Sequence, residues 1–259
     1  RTRKIHLITN KCSRRLTATA DLGVIRLHKE LAMCRGKNEC SELGSNPALW
    51  DGECLLRPKA WFEDEISNFV DAVETFVEGS RDGCIEKINK IRSNEIIEWF
   101  IEHGQMSGRH RNLVLGVEKP ELIDAELRDP LRSPQKYQNE VFERDSYHCR
   151  YCGIRLIDQK ILKSFIKKLN SESFQRGSTN LTTHGIIHAT WPVADHVVPW
   201  NIGGKTTPNN LVSSCAGCNY GKDGYTCEQL GISNPFNRPP INDDWSGLSD
   251  LAAELKSVV

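Results

Sequence analysis

Two Cys-x-x-Cys pairs, Cys149/Cys152 in "HCRYCG" and Cys215/Cys218 in "SCAGCN", constrain this chain more than any other feature. Cysteines so spaced on a tight turn direct both sulfurs at one point. Two such turns complete a tetrahedral site with Zn–S bonds of about 2.3 Å. The 62 residues from 153 to 214 separate the pairs. Lengthening the closed loop from about 20 to about 60 residues costs roughly 1 kcal/mol of chain entropy, whereas structural zinc contributes on the order of 10 kcal/mol. A Zn²⁺ staple through Cys149, Cys152, Cys215 and Cys218 across an inserted segment is therefore expected. Four thiolates leave no open position for substrate, so this ion holds structure and does no chemistry. A thioredoxin-like redox pair is the competing reading, but it needs a pair opening a helix inside a strand-helix-strand unit and leaves the stretch "ADHVVPW" unexplained.

The 259 residues suffice for one large domain or two smaller ones, with two as the working expectation. Hydrophobic content of 38% and charged content of 26% fit a globular chain. No apolar run approaches the roughly 20 residues of a membrane helix, and "RTRKIHLITN" lacks the apolar core of a secretory signal. A cytoplasmic location and no membrane partner are expected, and in that setting the ten cysteines read as metal ligands or buried thiols rather than disulfides. The formal charge is zero, so nothing global advertises nucleic acid. Locally, Arg1, Arg3, Lys4, Lys11, Arg14 and Arg15 make an acid-free arm. A phosphate-contacting patch and an ordinary solvated surface account for it equally.

Residues 16–34 read as a helix interrupted near Gly23, followed by an irregular loop. The clearest helix is "AWFEDEISNFVDAVETFVEG", where Phe62, Ile66, Phe69, Val73 and Phe76 form a core stripe. Two further helical stretches follow, the second capped by Ser93 and closed by Gly104. Polar residues 105–111 and three prolines between 120 and 134 place a domain boundary in that interval. "PQKYQNEVFERDSY" reads as a short helix delivering the chain to the first cysteine pair. "LIDQKILKSFIKKLN" reads as an amphipathic helix whose lysines face either solvent or DNA. His184 and His188 in the insertion read as structural groups before ligands. Trp191 and Trp200 read as packing before base stacking. A second zinc site from His28, Cys34, Cys40 and Cys54 has poor spacing.

Running past the second cysteine pair, "ADHVVPWNIGGKTTPNNLVSSCAGCNYGK" resembles the HNH endonuclease family through Asp195, His196, Pro199, Gly203, Gly204, Asn210, Leu211, Cys215, Cys218, Asn219 and Lys222. With "FERDSYHCRYCG" the resemblance spans residues 135–235. It implies a ββα-metal motif in which Asp195 and Asn219 hold a divalent ion, His196 is the general base, and Asn210 fixes the loop that orients the histidine. Asp195 and Asn219 stand at the first and third positions of the family letters, and both keep oxygen donors.

The chemistry fits those residue types. Hydrolysis of a phosphodiester needs a water, a base to deprotonate it, and positive charge on the phosphate. Imidazole titrates near neutrality, and two oxygen ligands plus waters suit Mg²⁺ or Mn²⁺. Neighbouring residues of a regular strand point to opposite faces, so the strand is expected to break its alternation at Asp195–His196. Lys222, Lys205 and Arg150 are candidate phosphate contacts, with plain surface positions as the alternative.

The expected fold class is α+β: a mainly helical region (1–130) that positions DNA or binds a partner, an HNH nuclease domain (131–235) with the zinc staple, and a tail (236–259) packing on it. The resemblance implies an endonuclease acting on double-stranded DNA in restriction or anti-phage defence, alone, as a homodimer or with a defence-system partner. Two alternatives stay open: a zinc-dependent module that binds nucleic acid without cutting, and a structure-specific repair or recombination nuclease.

Overall fold

The computed structural model describes residues 58–101, 118 and 120–258. The basic arm, the helix expected at 16–34, its following loop, the second cysteine cluster and Gly104 lie outside those residues. Three helices open the described chain: α1 (Phe62–Val77), α2 (Arg81–Ile88) and α3 (Ser93–Phe100). In α1 the stripe Phe62, Ile66, Phe69, Val73 and Phe76 is buried, as its spacing dictates. Glu63, Asp64 and Glu65 place negative charge on its first turn, against the positive end of the helix dipole. Ser93 does not cap α3; Arg92 takes that position, and Ser93 Oγ instead accepts from the backbone N–H of Gly185 at 2.8 Å. A side chain at residue 185 would meet the Ser93 carbonyl at 2.4 Å, so this approach needs glycine.

After a 3₁₀ turn at Pro134–Lys136 come α4 (Gln138–Arg144), α5 (Gln159–Leu169) and α6 (Gly185–Thr190). Asp158 caps α5 by accepting from Lys160 N–H, and Asn170, left-handed at φ 44°, ends it. Lys160, Lys163 and Lys167 of α5 are exposed, while Ile161, Leu162, Phe165 and Leu169 are buried. Strands β1 (Pro192–His196) and β2 (Leu211–Cys215) pair antiparallel, and α7 (Ala216–Lys222) folds back against both. Helix α8 (Ala252–Ser257) packs on α5. The architecture is α+β, largely helical around a two-stranded sheet.

The ladder is regular through its last pairs, Asp195↔Val212 and His196↔Leu211. No extra residue enters β1, so the expected break of alternation does not take the form of a bulge, and the acid and the histidine side chains are engaged by different partners.

One continuous core joins the helices of 62–101 to the rest. Phe69 and Phe76 meet Phe165 of α5 edge-on at 5.4 Å, and Phe100 of α3 stacks on His188 of α6 at 4.1 Å. The segment inserted between the cysteine pairs thus links the N-terminal helices to the sheet. Below the sheet, buried Asp145 accepts from Ser213 N–H and takes a bidentate ion pair from Arg144, whose other bonds reach Pro208 and Leu211 carbonyls. The tail closes over the same unit, with Trp245 Nε1 donating to Leu156 O at 2.8 Å and Leu248 and Leu255 buried.

Candidate active site and metal centre

Cys149 and Cys152 lie on a turn closed by Gly153 N–H to Cys149 O and by Cys149 N–H to Ile154 O, with Gly153 at φ +83°. Cys215 ends β2 as the N-cap of α7 and accepts from Cys218 N–H at 3.3 Å. The four sulfurs lie within 4.8 Å of one another, and Cys152 Sγ is 3.8 Å from Cys215 Sγ. A tetrahedron with metal–sulfur bonds of about 2.3 Å has edges of about 3.8 Å, so the cluster fits a metal ion. Burial pushes the Cys149 thiol up, but hydrogen bonds from Cys152, Cys215 and Cys218 outweigh it and hold that group well below its ordinary value. Converging thiols that favour a thiolate are what a cation needs. All six described cysteines are free thiols, and no redox disulfide joins the pairs.

Asp195 of β1 is 6% exposed; its Oδ2 accepts from Tyr151 OH at 2.6 Å and faces Lys222 Nζ at 3.2 Å. Burial, then the Asp195 charge, holds the Tyr151 phenol well above its usual range, so it stays a donor. Lys222, expected on an exposed face, is only 2% exposed and gives its remaining reach to His196 O at 2.7 Å. It is an internal counter-ion and cannot meet a phosphate from there, because a buried carboxylate demands a paired charge. Arg150 is likewise corrected. It is 6% exposed, and its guanidinium donates to the carbonyls of Pro235 and Arg238, clamping the tail over the first cysteine turn. Among the three candidate phosphate contacts, Lys205 alone is exposed.

His196 is half-buried, with Nε2 at 2.9 Å from Thr206 Oγ1. Burial lowers its pKa, Asp195 pulls it up and Lys222 pushes it down, with a net fall that favours neutral imidazole. The loop from 197 to 210 is tied by Asn210: Oδ1 accepts from Val198 N–H, and Nδ2 donates to the carbonyls of Val198 and Lys205, each at 2.9 Å. Gly204 presses on the same point, since a Cβ there would meet Val198 O at 1.7 Å. Asn219, half-buried, follows Cys218 on α7, the helix that packs against β1.

The histidines of the insertion are spent on packing. His184 Nδ1 caps α6 through Ile186 N–H, and His188 Nε2 meets Asn180 O at 2.8 Å. Trp191 lies between Lys163 and Arg176, and Trp200 is flanked by Arg128 and Arg132.

Sequence reasoning missed the segment 120–132, which straps across the loop. Ile123 N–H donates to Asn201 O, Trp200 Nε1 to Asp129 O at 2.8 Å, and Thr206 N–H to Asp129 Oδ2 at 3.1 Å. The one available signal was the proline-rich composition that marked a boundary there.

No helix among the described residues is long and apolar enough to cross a membrane. Residues 192–223 match the family model described as HNH endonuclease. A search of curated proteins finds no match to the chain, and neither does a search of solved structures. The unit running from β1 through the tied loop and β2 to the end of α7 is thus the part of the chain that matches the HNH endonuclease family.

Proposed function

We propose that the chain is an endonuclease hydrolysing phosphodiester bonds of double-stranded DNA, with Zn²⁺ in the four-sulfur cluster and a Mg²⁺ or Mn²⁺ ion at Asp195 and Asn219. The observation that carries the reading is His196, neutral by burial, at the end of β1 where the tied loop begins and next in the chain to a buried carboxylate. Asp195 Oδ2 is committed to Tyr151 and Lys222, so Oδ1 is the oxygen it would offer a cation, with the Asn219 carboxamide as the second hard donor. Bound there, such an ion would supply positive charge to the phosphate and leaving oxygens. His196 takes a proton from water while the water oxygen bonds to phosphorus and the bond to the leaving oxygen breaks. Asn210 holds the loop that follows the histidine, and exposed Lys205 is the phosphate contact. The division at about residue 131 is kept for roles: the helices before it position substrate or a partner. The resemblance supports a setting in restriction or anti-phage defence, which protection against phage infection would test.

Incubating the protein with plasmid DNA and Mg²⁺ or Mn²⁺ tests the activity. We expect cleavage, and we expect His196→Ala to keep its fold and bound zinc while losing about 10²–10⁴-fold in rate. A folded His196→Ala protein that cuts at the wild-type rate overturns the assignment.

A further inference from the structure

The hydrogen bonds beside His196 admit one tautomer. Thr206 Oγ1 lies 2.9 Å from His196 Nε2 and also donates to the carbonyl oxygen of Leu131. A carbonyl has no hydrogen to give, so the single hydroxyl proton of Thr206 is committed to Leu131. Oγ1 then has only lone pairs for the imidazole, and Nε2 must carry the N–H. In the neutral ring the lone pair is left on Nδ1. Thr206 is 2% exposed, which keeps water from replacing either bond.

We propose that Thr206, together with the Leu131 carbonyl, is a positioning residue that fixes His196 as the Nε2–H tautomer and presents Nδ1 to the attacking water. One carboxylate holds both ends of this relay: Asp129 Oδ2 accepts from Thr206 N–H at 3.1 Å and Oδ1 from Leu131 N–H at 2.9 Å. The strap residues lie outside the matched span 192–223. The atom that accepts the proton is thus set jointly by Thr206, inside that span, and by Leu131 and Asp129, outside it. When Nδ1 takes the proton from water, both ring nitrogens carry N–H, and Thr206 Oγ1 goes on accepting from Nε2, so the ring need not turn. The role as a base rests on the nuclease reading above; the tautomer does not.

The test uses the full chain, ¹⁵N-labelled, with its sulfur-bound ion and no other divalent metal, at mildly alkaline pH. Long-range ¹H–¹⁵N correlation spectra report which nitrogen of His196 is protonated. Wild type and Thr206→Ser should show Nε2–H, and Thr206→Val should show mixed tautomers. With plasmid substrate, Thr206→Val should lose about 10–100-fold in kcat at unchanged KM, and Thr206→Ser should recover most of it. An Nδ1–H tautomer in wild type overturns the proposal, as does a folded Thr206→Val protein with unaltered tautomer and kcat. If Thr206→Val does not fold, the spectra of wild type and Thr206→Ser still decide. If none of the proteins cuts nucleic acid, the nuclease reading fails while the spectra still settle the tautomer.

Discussion

The four-sulfur corner and the His196 corner share β1, β2 and α7 yet are built in opposite ways. The sulfurs come from two turns, are largely buried, and each turn is closed by hydrogen bonds of its own residues. The histidine corner is half-open, and its polar atoms are placed by groups scattered along the chain: Asp129 and Leu131 of the strap, Tyr151 of the first cysteine turn, and Thr206, Asn210 and Lys222. The first is a closed knot that makes structure. The second is a surface whose chemistry is set by neighbours brought from elsewhere in the chain.

Breaking the knot should have the largest effect. Cys215→Ser removes a sulfur of the cluster that also caps α7, and with a structural ion bound there on the order of 10 kcal/mol of metal-linked folding energy would be at stake. Metal content should fall and residues 135–235 should become sensitive to protease, as should the wild type after strong chelation. Unchanged metal content in Cys215→Ser would remove the staple from the account.

A smaller effect should follow from unpairing the other corner. Lys222→Met strands the Asp195 carboxylate in the interior, a change that costs about 3–5 kcal/mol when a buried pair loses one partner. Melting curves should show the loss, and added Mg²⁺ should recover part of it by standing in for the ammonium. A Lys222→Met protein as stable as wild type, with or without Mg²⁺, would mean that the pair contributes little.

The smallest effect lies away from both corners and serves as a control. Burial pushes His184 from its ordinary 6.5 down to about 4. The unfolded chain then binds the extra proton first, so stability is complete above about pH 6.5 and is lost as pH falls toward 4, by about 3 kcal/mol at most. Urea melts at pH 7 and pH 4.5 should differ in wild type by more than in His184→Gln. Equal differences would assign the acid sensitivity to other groups.

What was legible in the sequence follows the same contrast. The stripe of α1, the capped helix α5 and the converging cysteines depend on local spacing, and spacing is visible in a string of letters. Lys222 misled because its helix position alone says nothing of the buried carboxylate it must neutralise. Arg150 misled because its partners, the carbonyls of Pro235 and Arg238, are distant backbone atoms that leave no mark on side-chain identity. Ser93 looked like a cap, but the N–H it satisfies belongs to Gly185. The strap was unreadable for the same reason, since Leu131 contributes only its carbonyl to the histidine corner.

The order in which the two cysteine turns leave the ribosome has a consequence for biogenesis. At roughly 5–20 residues per second, the 62 residues between Cys152 and Cys215 take about 3–12 s to synthesise. Throughout that interval a nascent chain displays a two-sulfur half-site that can hold an ion only loosely. An ion bound by all four sulfurs would be held tightly only after the second turn emerges, and its capture would then mark completion of the inserted segment.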